Sequence, residues 1–121
     1  MKKDIAILLP YKENYNIDKA GAASIWVKDY ISLSKLNNKT LVFGNLENKV
    51  KPLTSNFINI DLKNIFVRKN IQYTKSLYDY HIKNNFKIIE IHNRPESLLF
   101  LINKKISAKL IFVFHNNPQD M

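Results

Sequence analysis

The sequence predicts an α/β protein with a parallel sheet of about five strands in the order 3-2-1-4-5 and helices on both faces. Short apolar runs recur along the 121 residues, and stretches with helical periodicity separate most of them. The first run, Ile5 to Leu9, is continuous rather than alternating, as in a strand buried on both faces. Strands that alternate with helices, joined by right-handed crossovers, give a doubly wound sheet.

The first helix is predicted over residues 22–36. Helical spacing gives it an apolar face and a polar face. The apolar face contains Ala23, Trp26, Val27, Tyr30 and Leu33, and the polar face contains Ser24, Lys28, Ser32 and Lys35. The second and third strands are predicted over residues 40–43 and 57–60, on either side of a polar loop.

A long helix is predicted over residues 64–84. Its apolar stripe would contain Val67, Ile71, Tyr78 and Ile82, with Thr74 as the one polar member, and His81 would lie on its surface. A fourth strand follows over residues 87–91, a short helix over residues 95–105, and a fifth strand over residues 109–114. Pro95 suits the first turn of the short helix, where its missing N–H costs little.

Composition restricts the possible functions. The chain has no cysteine, which excludes disulfides and thiolate metal sites. The net charge is +9, but the lysines are scattered. This pattern favours a solvated surface over an anionic membrane or lipid-linked acceptor, and both over nucleic acid. No apolar run approaches the ~20 residues of a membrane span. The expected location is cytoplasmic, with peripheral contact to the inner membrane face left open.

Candidate ligand-binding residues follow the strands, because open α/β sheets bind ligands at the carboxyl ends of their strands. His92, Asn93 and Arg94 follow the fourth strand, and His115 and Asn116 follow the fifth. Gly21 and Ala22 enter the first helix, where small residues let backbone N–H groups approach a phosphate. The alternatives are structural: a tight turn at Gly21, hydrogen-bonded histidines, and an arginine that pairs with Glu96.

Four segments of the sequence together resemble a known family. They are I-A-I-L-L-P, A-G-A-A-S-I-W-V, I-I-E-I-H-N-R-P-E and F-V-F-H-N-N-P-Q-D-M. The pattern is similar to the N-terminal, Rossmann-like domain of family 4 glycosyltransferases of the GT-B fold. The most specific parts are residues 90–96 and 115–118, which resemble bacterial members that build lipopolysaccharide or other surface glycans.

The resemblance implies a retaining glycosyltransferase with a nucleotide-sugar donor, a glycan or lipid-linked acceptor, and no metal or cofactor. By motif match, Gly21 and Ala22 would face the donor phosphates. His115 would lie near the transferred sugar as the catalytic residue. His92, Asn93, Arg94 and Asn116 would line the acceptor side of the cleft. Residues 1–121 would then form part of the N-terminal domain without the donor-binding C-terminal domain, and the chain alone is expected to be inactive.

A second hypothesis keeps the fold but not the chemistry. The chain would then be a stand-alone flavodoxin-like module that binds a phosphate-bearing ligand at the same sheet edge. If the chain is instead part of an incomplete domain, the sheet is left uncovered beyond the fifth strand, Phe112 and Phe114 would lose packing partners, and low solubility or self-association is expected.

Overall fold

The protein has a five-stranded sheet with every strand parallel to its neighbours, in the order β3-β2-β1-β4-β5. The predicted fold class and strand order are therefore confirmed. The computed structural model describes residues 3–16, 21–46, 51–63 and 66–115. No helix within these ranges is long and apolar enough to cross a membrane.

Strands and helices alternate along the chain apart from the β2–β3 connection. The strands are β1 (Ile5–Leu8), β2 (Thr40–Gly44), β3 (Phe57–Asn59), β4 (Ile88–His92) and β5 (Lys109–Val113). The helices are α1 (Ala22–Leu33), α2 (Lys69–Asn84) and α3 (Pro95–Asn103). The strands match their predicted positions within one residue at each end, whereas α1 ends earlier than predicted and α2 begins later.

Two hydrophobic cores cover opposite faces of the sheet. The larger core packs α2 and α3 against Ala6, Leu8 and Ile91, and the smaller packs α1 against Ile7 and Leu9. Successive residues of β1 thus point into different cores, which explains why its sequence is apolar without alternation.

The predicted apolar face of α1 is wrong in part. The helix buries a narrow stripe at a spacing of four residues, formed by Ala23, Val27 and Ile31, whereas Leu33 is 87% exposed. Ser24, predicted on the polar face, is fully buried because it binds a carboxylate within the fold. Small and branched side chains on the stripe let α1 approach the sheet, and the larger aromatic residues lie beside it.

The predicted apolar stripe of α2 is also wrong, because the helix buries a different set of residues. The helix buries Tyr73, Leu77 and His81, again at a spacing of four, together with Thr74. Ile82 is 64% exposed. His81, predicted to lie on the surface, is buried because its Nδ1 accepts a hydrogen bond from the backbone N–H of Phe86 at 3.1 Å. It therefore ties the end of α2 to the chain that leads into β4.

Candidate functional site

The candidate site lies at the carboxyl edge of the sheet, the edge where all five parallel strands end. β4 and β5 pair in register, with His92 opposite Val113, so the residues that follow β5 lie beside the end of β4. This places His115 next to His92, with His92 Nδ1 2.6 Å from His115 Nε2. Two residues that the sequence predicted independently are thus brought together by the register.

The two imidazole rings meet edge to edge. Their planes differ by 12° and their centroids are 4.9 Å apart. Rings stacked face to face could not combine that separation with a 2.6 Å contact between ring nitrogens. The contact is therefore an in-plane hydrogen bond, the geometry in which such a bond is strongest.

Glu90 extends the pair into a chain of three residues, here called the histidine cluster: Glu90, His92 and His115. The side chain of Glu90 points to the same face of β4 as that of His92, two residues later. Its Oε2 lies 3.0 Å from His92 Nε2. His92 is fully buried and both of its ring nitrogens are occupied, so among the three side chains it is the inner link.

Asn93 fixes where the chain after β5 passes. It adopts a left-handed backbone conformation with φ 62°, a region that asparagine tolerates better than most residues. Its backbone N–H donates to the Val113 carbonyl at 2.9 Å, and its side-chain Oδ1 accepts from the His115 N–H at 2.6 Å. Asn93 therefore holds the backbone of His115 rather than lying free at the surface.

Trp26 of α1 forms an aromatic wall beside the cluster. Its ring centroid is 5.4 Å from that of His92 and 5.5 Å from that of His115. On its other side it stacks on Tyr30, with planes 7° apart. A shallow, mostly apolar groove of about 400 Å³ runs along α1 from the cluster. It is lined by Trp26, Asp29, Tyr30, Leu33 and Ser34.

The start of α1 carries an internal carboxylate. Gly21 is the N-cap residue, with φ −81° and ψ 178°, so its conformation does not itself require glycine. Glu13 Oε2 accepts hydrogen bonds from the Ser24 N–H at 3.2 Å and the Ser24 hydroxyl at 2.7 Å. A Cβ at Gly21 would collide with this carboxylate. A side chain at position 21 would therefore require Glu13 to move from its place at the positive end of the helix.

Arg94 lies at the carboxyl edge of the sheet, near the backbone of Tyr11. It is exposed, and its Nη2 lies 3.4 Å from the Tyr11 carbonyl, which makes a long contact at most. The structure gives Arg94 no hydrogen bond to Glu96, whose Oε1 accepts from Asn70 Nδ2 at 3.0 Å instead. The guanidinium is therefore available at the edge as a fixed positive charge.

His115 is neutral in the folded protein near pH 7. Burial and the neighbouring His92 lower the pKa of His115, while the carboxylates of Glu13 and Glu90 oppose that shift. A neutral imidazole offers one N–H and one lone pair, so it can accept a hydrogen bond as well as donate one. No group of three His, Cys, Asp or Glu side chains suited to a metal is found in the described ranges.

The sequence identified part of this site. Of the predicted residues, the structure brings His92, Asn93 and His115 together, with Arg94 at the same edge and Gly21 at the start of α1. Ala22 is the first residue of α1, and Asn116 lies outside the described residues. Sequence reasoning missed Glu13 and Glu90 and treated Trp26 as packing. For Glu90, the signal was its two-residue spacing from His92 on a predicted strand.

Comparison with known proteins adds no relative. No protein-family model, curated protein or solved structure matches the chain. The architecture that the structure establishes is a parallel, Rossmann-like α/β sheet with its polar cluster at the carboxyl edge.

Proposed function

We propose that the chain forms the N-terminal, acceptor-side part of a retaining glycosyltransferase that uses a nucleotide-sugar donor, in the synthesis of lipopolysaccharide or another surface glycan. The observation that supports this most is the histidine cluster at the carboxyl edge. There a partly exposed imidazole lies beside an aromatic ring and near an exposed arginine whose guanidinium makes a long contact, at 3.4 Å, with the Tyr11 carbonyl. The sequence resemblance around residues 90–96 and 115–118 supports the same proposal.

The chemistry of the edge suits a sugar. A sugar ring presents hydroxyl groups, which need both donors and acceptors, and apolar C–H faces, which pack on aromatic rings. His115 supplies a hydrogen-bonding nitrogen and Trp26 supplies an aromatic surface at 40% exposure. Arg94 adds a charge that would favour an acceptor bearing a phosphate or carboxylate.

The start of α1 is less suited to a phosphate as it stands. Glu13 already neutralises that helix end, and two anions would repel each other there. A donor diphosphate near Gly21 therefore requires Glu13 to swing away, and the roles of Gly21 and Ala22 stay predictions. The same feature argues against a stand-alone phosphate-binding module, which would hold its ligand at this helix end.

The test is binding by the intact chain. We expect simple glycosides such as methyl hexosides and N-acetylhexosaminides to bind weakly, with Kd in the ~1–10 mM range, because the edge offers a sugar few contacts, chiefly the His115 imidazole and the Trp26 ring. His115→Ala should weaken that binding, measured by saturation-transfer NMR. Ile82→Ala is a matched control, since Ile82 is exposed on α2, which covers the face of the sheet opposite α1.

Two results would overturn the proposal. One is the absence of glycoside binding by a folded chain at these concentrations. The other is binding of inorganic phosphate that survives His115→Ala and is lost when Ser24 is replaced by alanine. The second result would favour the phosphate-binding module.

A further inference from the structure

If Glu90 is ionised and both histidines are neutral, the donors and acceptors of the histidine cluster allow one arrangement of protons. The ionised carboxylate of Glu90 can only accept, so its contact with His92 Nε2 at 3.0 Å requires the proton on that nitrogen. Neutral His92 then has a lone pair on Nδ1. Because Nδ1 lies 2.6 Å from His115 Nε2, the proton between the rings belongs to His115 Nε2. The remaining nitrogen, His115 Nδ1, is left with a lone pair.

We propose that Glu90 is a positioning residue that acts through the buried His92 to hold His115 in one tautomer, with its unprotonated Nδ1 presented as a hydrogen-bond acceptor. Nδ1 has no hydrogen-bond partner among the described residues, and His115 is partly exposed. A hydroxyl group of a ligand is the donor that this nitrogen suits. The identification of that ligand as a sugar rests on the proposed function, whereas the proton arrangement does not.

The surroundings of the cluster leave Glu90 as the group that decides the tautomer. Among the described residues, the titratable groups that face His115 are His92 and Glu90 on β4 and Glu13 from the loop after β1. Glu13 is held by Ser24, and α1 contributes the uncharged ring of Trp26. Only Glu90 makes a hydrogen bond that propagates through His92 to His115.

Replacing Glu90 by glutamine removes its charge without changing its size, and His115 should then no longer be held in one tautomer. In Glu90→Gln the amide can turn either its oxygen or its NH₂ group toward His92 Nε2. The second orientation reverses the chain, so that His92 donates from Nδ1 and His115 carries its proton on Nδ1. A mixture of the two tautomers is therefore expected in the variant, against one tautomer in the wild type.

The readout is the ¹⁵N chemical shift of the imidazole nitrogens in the intact, uniformly labelled chain near neutral pH. Wild type should show His115 protonated on Nε2 and unprotonated on Nδ1. Glu90→Gln should show averaged or doubled His115 signals, while the control Asp79→Asn, which removes an exposed carboxylate on α2, should match wild type. A purely structural role for Glu90 would not alter the His115 tautomer.

Two outcomes overturn the inference: wild-type His115 protonated on Nδ1, or a folded Glu90→Gln with wild-type ring signals. If the variant fails to fold, the wild-type tautomer alone still decides. A second arm uses methyl hexosides as the probe. Loss of the acceptor nitrogen should weaken binding by roughly 3- to 10-fold, the effect of one hydrogen bond. Absent hexoside binding in wild type would refute the proposed function and leave the tautomer result standing.

Discussion

The contact between Glu13 and Gly21 shows how one residue can be required by another's side chain rather than by its own backbone. Gly21 has ordinary extended dihedrals, yet a Cβ there would collide with the carboxylate that caps α1. From sequence, the glycine indicated space for a phosphate. The structure places a carboxylate in that space, and no local pattern links residue 13 to residue 21.

A double-mutant cycle tests this dependence. Glu13→Ala should lower the free energy of unfolding by about 0.5–2 kcal/mol, as loss of an N-terminal cap does. Gly21→Ala should be destabilising in the wild type because it displaces Glu13, and nearly neutral in the Glu13→Ala background. Urea denaturation of the wild type, the two single variants and the double variant measures the four free energies of unfolding. Additive effects would show that Gly21 is required for another reason.

Two histidines predict a loss of stability in acid. Burial lowers the pKa of both His81 and His115 below the ordinary value of 6.5. Between pH 6.5 and the lowered pKa values, the unfolded chain therefore binds more protons than the folded chain. The free energy of unfolding then falls as pH drops below about 6.5. The Tm should therefore decrease as the pH is lowered from about 6.5, as measured by thermal unfolding at a series of pH values.

His81→Gln supplies the control for this pH dependence, since its amide oxygen can still accept from the Phe86 N–H. The variant should show a shallower decrease in Tm below pH 6.5 than the wild type. A Tm that is constant or rises on acidification through this range would contradict the burial-based account of the two histidines.

At the level of elements, α2 and α3 are joined by a buried hydrogen bond between hydroxyl groups. Thr74 Oγ1 and Ser97 Oγ are 2.7 Å apart, and both residues are 1% exposed. The Thr74 hydroxyl also lies 3.1 Å from the Asn70 carbonyl, to which it can donate, leaving Ser97 as the donor to Thr74. The burial of the polar residue Thr74 on α2 is thus explained by its partner on the next helix.

This arrangement predicts unequal effects of removing either hydroxyl. Thr74→Val leaves the buried Ser97 donor without an acceptor and should cost about 1–3 kcal/mol. Ser97→Ala should cost less, because Thr74 keeps its bond to the Asn70 carbonyl. The double variant should recover most of the loss from Thr74→Val. Equal costs, or a double variant less stable than Thr74→Val, would contradict the assignment.

Elements differ in how well sequence patterns predict them. The strands and their order follow from short apolar runs and the handedness of crossovers, both of which are visible locally. The buried stripes of α1 and α2 are not visible locally. Helical periodicity identifies the most hydrophobic face of a helix, whereas burial depends on which side chains fit against the sheet. Ser24 and His81, which the pattern placed on exposed faces, are therefore buried, whereas Leu33 and Ile82 are exposed. The histidine pair could be predicted only as separate strand-end residues, since their contact depends on the β4–β5 register.

Across the whole molecule, large apolar side chains remain exposed on α1 and directly after β5. On α1, Ile25 is 50% and Leu33 87% exposed, and Phe114 beyond the edge strand β5 is 48% exposed. Phe112, in contrast, packs against the larger core, so the prediction that it would lose its partners is wrong. Exposed apolar side chains, together with an edge strand that has no further strand partner among the described residues, favour association between chains.

We therefore expect concentration-dependent self-association of the purified chain in sedimentation velocity. Leu33→Glu should shift the distribution toward monomer because it places a charge on the apolar face of α1. Ile82→Glu, at an exposed position on α2, is the matched control and should leave the distribution unchanged. A wild-type monomer at all concentrations would contradict this expectation.

The proposed function requires this α/β domain to bind its ligand at the carboxyl edge of the sheet, around His92 and His115. Amide chemical-shift mapping of the intact chain during titration with a methyl hexoside tests it most directly. We predict saturable shifts centred on Asn93, Arg94 and His115, reduced in Glu90→Gln. Shifts confined to the opposite edge of the sheet or to the exposed face of α1, or no saturable shifts in a folded chain, would contradict the account.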